Sequence, residues 1–264
     1  MKQKICIEKL LKWAYCEELP KAGFEPGGAV RSGWASIETF AQLLTKIDDN
    51  EYGVVPSLNV NDGDPHEDAL RVHAAVCGLS DRVVDFPDGW NPMPEIGIHE
   101  KHCAMALSAA RFGIKNANRQ PFDLIRRHAI LGGCPGWEGE VPELKTAKTR
   151  KGTDAWFRMR VDHSTDAFGR PVERKFETED GWCYVRKAPK IGAYRKFFFD
   201  PDPVSVLIGR GEYQMWWSHL VKLAENLSGQ LEKWDVQPSP RVAIPWETGA
   251  PEPARILLAV SKNS

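Results

Sequence analysis

The sequence contains no run of about 18 apolar residues, so no segment of it is expected to cross a bilayer as a helix. Near its start, lysines at 2, 4, 9 and 12 flank no long apolar stretch and no small-residue cleavage site, which argues against a signal peptide. The six cysteines, at 6, 16, 77, 103, 134 and 183, form no C-x-x-C pair. Scattered in this way, they read as reduced thiols of a cytoplasmic protein, mostly filling core, and not as a disulfide framework. There is no G-x-x-x-x-G-K-[ST] or G-x-G-x-x-G loop to cradle phosphates, and no G-x-S-x-G nucleophile elbow. With no catalytic motif, the expectation is a protein that is not an enzyme and carries no cofactor.

Charge of either sign is also missing in sum, since 35 Lys and Arg stand against 36 Asp and Glu. That near-balance hides a strong local asymmetry. Residues 145–196 hold 14 basic against 7 acidic side chains, a net +7, whereas residues 1–144 carry 15 against 21, a net −6. Such polarity marks where a polyanion or an acidic partner docks. Ten Trp are many for this length, and each buries much surface and seeks a partner for its indole N–H.

Apolar spacing predicts a helix from Ile5 to Leu19, ended by Pro20. A glycine- and proline-rich loop follows at 20–33. Ser32 or Ser36 then caps a second helix reaching about Ile47. Asp64-Pro65 opens a third, with Leu70, His73, Ala74 and Cys77 inward. A fourth helix is expected over His99–Phe112 and a fifth over Pro121–Leu131, stopped by Gly132-Gly133.

The pattern changes to alternation at Ala155–Asp162, with further strands at Val172–Thr178, Trp182–Lys187 and Ala193–Phe199. Residues 203–234 form the longest helical pattern, with Tyr213, Trp216, Leu220, Leu223, Leu227, Leu231 and Trp234 along one face. The predicted class is α+β: a helical region at 1–135, then antiparallel strands and the long helix over 145–235 sharing its core, then an extended proline-rich tail at 236–264 that Trp246 anchors.

In the first strand of the basic block, Phe157, Met159 and Val161 share one face and are expected in the core. Trp156, Arg158 and Arg160 share the other, continued by Trp182, Tyr184 and Arg186 if the hairpins pair. Basic groups neutralise phosphates, and exposed aromatics stack on unpaired bases. The candidate phosphate contacts are Arg158, Arg160, Lys175, Arg186, Lys187, Arg195 and Lys196, with Trp156, Trp182 and Tyr184 as stacking platforms. The partner is then DNA or RNA. An acidic host protein on the same face is the alternative, and so is internal pairing of the cations with the acidic N-terminal half.

Weaker patterns compete. Asp162, Glu173 and Lys175 match the skeleton of Mg²⁺-dependent nucleases, although Glu-x-Lys recurs at Glu143-Leu144-Lys145. His99, His102 and Cys103 lie on one helical face and suggest zinc, with His128 and Cys134 as further ligands, but the spacing is not H-E-x-x-H. The helices at 99–112 and 121–131, with Arg126 and Arg127 on the second, suggest a helix-turn-helix whose connection is too long. Packed helices with a satisfied His and a core Cys explain both patterns more simply.

Four stretches, IEKLLKWAYCEELPKAG at 7–23, FDLIRRHAILGGCPGW at 122–137, GAYRKFFFDPDP at 192–203 and PSPRVAIPWE at 238–247, resemble uncharacterised proteins carried by prophages of alphaproteobacteria. The likeness covers most of the chain. It implies a phage-related, intracellular setting and favours a regulator or host-directed protein over a metabolic enzyme. It carries no known active site.

Overall fold

The structure, a computed structural model, describes residues 2–23, 64–79, 82–116, 121–165, 168, 170–247 and 258–261. The helix expected over 32–47 lies outside the described residues. The class is α+β, and the chain divides into two compact units. One comprises Met1–Pro92, Ala110–Glu138 and Val206–Ser264; the other comprises Met93–Ala109 and Gly139–Ser205. Among the described residues no helix is long and apolar enough to cross a membrane.

The first unit is organised by strand β1 (Gln3–Cys6), which the helical periodicity of the sequence obscured, and β9 (Trp234–Gln237). They pair in parallel, with Gln3 opposite Trp234 and Cys6 opposite Gln237. Helix α1 (Ile7–Trp13) follows β1 directly and continues as a π-helical turn to Glu18, burying Ile7, Leu10, Leu11, Ala14 and Tyr15. Helix α2 (Glu67–Cys77) starts at His66, whose ring Nδ1 accepts from Asp68 N at 3.0 Å. The helix thus begins at Glu67, two residues after Pro65. Ala69, Val72, His73 and Val76 are buried, while Ala74 faces out, which corrects the inward set read from the sequence.

Strand β2 (Arg82–Asp85) pairs antiparallel with β10 (Leu258–Ser261) of the C-terminal segment. Helix α3 spans Glu100–Asn116 and α4 spans Pro121–Leu131. Helix α4 packs against α1, the turn at Ala14–Glu18 and α2 through Leu124, Ile125 and Ala129. Gly132 and Gly133, at φ 77° and 76°, end it.

Helix α5 (Val204–Leu227) is the centre of this unit from Val206 onward. It is buried on nearly every side, although Arg210, Glu212, Gln214, Ser218 and His219 are among its buried residues. Its polar residues are accommodated individually. Arg210 donates to Pro92 O at 2.8 Å and Trp137 O at 3.3 Å, and its guanidinium lies 5.1 Å from the Trp246 ring. Gln214 Oε1 accepts from the buried Trp90 indole at 2.9 Å. The helix ends at Leu227, short of the predicted 234, because the chain turns at Gly229 (φ 76°) toward β9.

The second unit carries the other strands, in antiparallel pairs about a short bridge network. Strand β3 (Glu143–Thr146) pairs with β8 (Phe197–Asp200). Strands β4 (Arg158–Thr165) and β5 (Pro171–Thr178) form a ribbon, and β6 (Trp182–Cys183) pairs with β7 (Ala188–Pro189). Single bridges at Lys148–Asp154 and Phe157–Tyr194 connect the pairs, so no continuous sheet forms among the described residues. Met159 and Val161, expected in the core, are 51% and 45% exposed, because β4 and β5 form a two-stranded ribbon that no further strand extends among the described residues. Phe157, one residue before the ribbon, is half-buried beside Tyr194.

Candidate nucleic-acid interface

The chain enters β4 through Ala155-Trp156-Phe157. Ala155 N–H donates to Ala147 O at 2.8 Å, and Phe157 exchanges two backbone bonds with Tyr194 at 2.9 and 2.8 Å. Gly181 N–H donates to Trp156 O at 2.8 Å. A Cβ on Gly181 would stand 2.9 Å from the Trp156 carbonyl and from Ala193 Cβ, so only glycine permits this approach. It places Trp182 beside Trp156, with ring centroids 5.8 Å apart and planes at 32°. The Arg195 guanidinium sits 4.7 Å from the Trp156 ring.

These rings line a concavity of about 930 Å³. Tyr184, 83% exposed, stands on its rim. Five cations also line it, Lys148, Arg150, Lys151, Lys190 and Arg195, against the carboxylates of Asp154, Glu179 and Asp180.

The cations are arranged by sharing acceptors. Asp180 receives Arg158 through Nε and Nη2 at 3.0 and 3.1 Å, and also Arg160. Lys190 Nζ lies 3.5 Å from the same carboxylate. Arg158 first, then Thr178 and Arg160, hold the Asp180 carboxyl far below the usual range by hydrogen bonding to its charged form. Asp154 takes Lys148 at 2.8 Å and Arg195 at 3.2 Å, and its carboxyl is lowered chiefly by the Lys148 hydrogen bond. Glu177 takes Lys196 and the Tyr194 hydroxyl; Lys196 is the larger cause of its lowered carboxyl.

Six cations thus share three carboxylates, which leaves a local surplus of positive charge. The acids that pair them belong to the block itself, to Asp154, Glu177 and Asp180. Arg150, Lys151, Arg174 and Lys175 have no ion pair among the described residues.

The ten residues singled out from sequence separate into four groups. Trp156, Trp182, Tyr184, Arg158, Arg160 and Arg195 come together at the concavity and its edge. Lys196 is drawn away to Glu177 and the Phe157 ring, 4.6 Å off. Lys175 lies on the opposite face of the ribbon from Arg158 and Arg160. Arg186 and Lys187 belong to a turn, not a strand: only Trp182–Cys183 pair before the chain reverses at 184–187, with Lys187 at φ 49°. The sequence reading missed Lys148, Arg150, Lys151, Lys190 and the ordering carboxylate Asp180. All fall in the basic block, but no alternation marks them, since they occupy bridges and turns.

The nuclease and zinc patterns come apart. Asp162 faces Arg174 and Glu173 faces His163 across the ribbon, so Asp162 and Glu173 point to opposite faces and cannot hold one metal. Among the described residues no group of three His, Cys, Asp or Glu side chains forms a metal set. His99 and His102 pack against aromatic rings of β8, with His102 6.1 Å from Phe197 edge-on and His99 6.0 Å from Phe199. Arg126 pairs with Asp123 and lies 4.9 Å from the Phe122 ring on α4 itself.

Comparison with protein-family models, curated proteins and solved structures finds no match.

Proposed function

We propose that the protein is a non-enzymatic, phage-type accessory or regulatory protein that binds nucleic acid through the concavity around Trp156 and Trp182. It then works in the cytoplasm of a bacterial cell, a setting in keeping with six unpaired cysteines. One observation carries the reading: five cations held on two carboxylates, Asp154 and Asp180, beside an aromatic pair and an exposed tyrosine. The shared acceptors fix the guanidinium and ammonium groups in place without neutralising them, so phosphates meet preorganised donors. The open rings of Trp182 and Tyr184 accept unpaired bases, whose faces all stack.

The test is fluorescence anisotropy with labelled single-stranded DNA and RNA at low salt. Binding is expected, with a steep fall in affinity as salt rises. Trp182→Ala is expected to weaken it by about 1–3 kcal/mol. Arg150→Ala with Lys151→Ala flattens the salt slope by about 0.7 for each phosphate that is no longer neutralised. Absence of binding to any strand at low salt ends the reading.

A second reading has its own observation. Val185 and Ile191, 93% and 99% exposed, flank the same concavity and are costly to leave in water. An acidic protein partner, such as a host factor, would cover them. It would be captured by the wild-type protein and lost by Ile191→Asp while nucleic-acid binding stays unchanged.

A further inference from the structure

The β4–β5 ribbon is two strands of eight residues, with exposed side chains on both faces over 159–164 and 171–177. Two isolated strands are marginal in water, so such an arm is maintained for a purpose beyond the core. Residues directly opposite one another share a face. One face carries Arg158 opposite Thr178, Arg160 opposite Phe176, Asp162 opposite Arg174, and Ser164 opposite Val172. The other carries Met159 opposite Glu177, Val161 opposite Lys175, and His163 opposite Glu173. The first face has three arginines to one carboxylate; the second has one lysine to two carboxylates.

The cationic face is also the one joined to the concavity. Arg158 and Arg160 both reach Asp180, and Asp180 lines the concave wall. Beyond them, Arg174 has no ion pair among the described residues; Phe176 is part-exposed between the arginines, and Val172 beyond Arg174.

We propose, resting on the nucleic-acid reading above, that this ribbon is an arm for the major groove of a duplex, and that the concavity takes the unpaired strand leaving that duplex. The ligand class is therefore a single-strand to double-strand junction. Dimensions agree. Eight strand residues reach about 26 Å, at about 3.3 Å each, within one helical turn of about 34 Å. The groove is about 12 Å wide and admits a two-stranded ribbon. Arginine is the side chain that reads guanine edges there, and part-exposed apolar groups such as Phe176 meet thymine methyls. A second copy of the chain is a poor occupant for this face, because it would set arginines against arginines.

The experiment uses the full chain and three labelled DNAs: a single strand, a blunt duplex, and a duplex with an unpaired tail. The tailed duplex is expected to bind at least about tenfold more tightly than either component. Arg174→Glu, at an exposed and unpaired side chain, should erase that gain and leave the single strand unaffected. Trp182→Ala should weaken both the tailed duplex and the single strand. If the tailed duplex binds no better than the single strand, or Arg174→Glu changes nothing, the junction proposal is overturned while nucleic-acid binding stands. If none of the three DNAs binds, the junction proposal falls, and the nucleic-acid reading falls with it if labelled single-stranded RNA does not bind either. If sedimentation shows a dimer that Arg174→Glu dissociates, the ribbon is a self-association surface and the proposal is likewise overturned.

Discussion

Arg158 grips Asp180 with two parallel hydrogen bonds, Nε to Oδ1 at 3.0 Å and Nη2 to Oδ2 at 3.1 Å. This fork ties the base of the β4–β5 ribbon to the segment that carries Trp182. Because the fork holds the Asp180 carboxyl far below its ordinary range, its stabilisation is full at neutral pH. The unfolded chain takes up the proton first, at about pH 3.9, so the contribution wanes as pH falls below that value toward the lower folded one. Asp180→Asn should lower the unfolding midpoint at pH 7, and the gap from wild type should narrow in acid. Thermal unfolding monitored by tryptophan fluorescence from pH 7 to pH 2.5 checks this. A gap that is constant or widens in acid would contradict the assignment. Arg158→Lys keeps the charge but not the fork, and should reproduce most of the loss.

Asp68 is fully buried and spends both oxygens on backbone. Oδ1 accepts from Glu232 N and Oδ2 from Lys233 N, each at 2.8 Å, and Lys233 O in turn accepts from Gln3 N at 2.9 Å where β1 begins. Asp68→Ala would leave the part-buried Glu232 and Lys233 N–H groups at the entry to β9 without their acceptor. We expect a loss of about 3 kcal/mol, read as a shift in the urea midpoint. Arg71, whose side chain is 40% exposed at 3.6 Å from Asp68, should cost under about 1 kcal/mol when changed to alanine. Equal losses for the two variants would show that the backbone bonds are not what Asp68 contributes.

Two glycines on α5 predict a ranking. A Cβ at Gly211 would meet Ile114 Cδ1 at 2.7 Å and Trp90 Cζ2 at 3.1 Å, and the tip of an isoleucine can rotate away. A Cβ at Gly209 would collide with the Gly136 carbonyl oxygen, which can yield only by a shift of backbone. Gly211→Ala should therefore cost about 1–3 kcal/mol, and Gly209→Ala more than Gly211→Ala. Chemical denaturation of both variants checks the order, and the reverse order would mean that the 132–138 segment yields more readily than the core.

What the sequence made legible follows from period and punctuation. Helix α4 is readable at Pro121–Leu131 because its apolar spacing is regular and two glycines end it. Strand β1 is not, since Gln3–Cys6 precedes a helix whose pattern swallows it, and its partner β9 lies more than 220 residues away, where no local signal reaches. In the candidate site, the alternation of Trp156, Arg158 and Arg160 is real. Yet alternation alone cannot say whether the other face is covered, and Met159 and Val161 stand in solvent. Asp180 is invisible for a different reason. Its role depends on Arg158, Arg160 and Lys190 converging in space, and nothing in the order EDGW announces an acceptor for three cations.

The six cysteines offer a prediction that touches the site directly. Burial raises the thiols of Cys16, Cys77 and Cys103 above their ordinary range. Cys183, next to Trp182, goes the other way: hydrogen bonding from the Arg186 backbone, and then the Val185 backbone, favours its thiolate. The thiolate is the nucleophile, so Cys183 should be alkylated by iodoacetamide ahead of these three at pH 7. Peptide mass spectrometry over a time course reads the order. The lowered thiol depends on the tight turn at 184–187, so a variant that opens that turn, such as Lys187→Pro, should slow Cys183 to the rate of an ordinary exposed thiol. If Cys183 instead reacts last, the turn does not present its backbone N–H groups to the sulfur. Bound single-stranded DNA should protect Cys183 if strands occupy the neighbouring concavity, which gives a footprint of the proposed site independent of affinity.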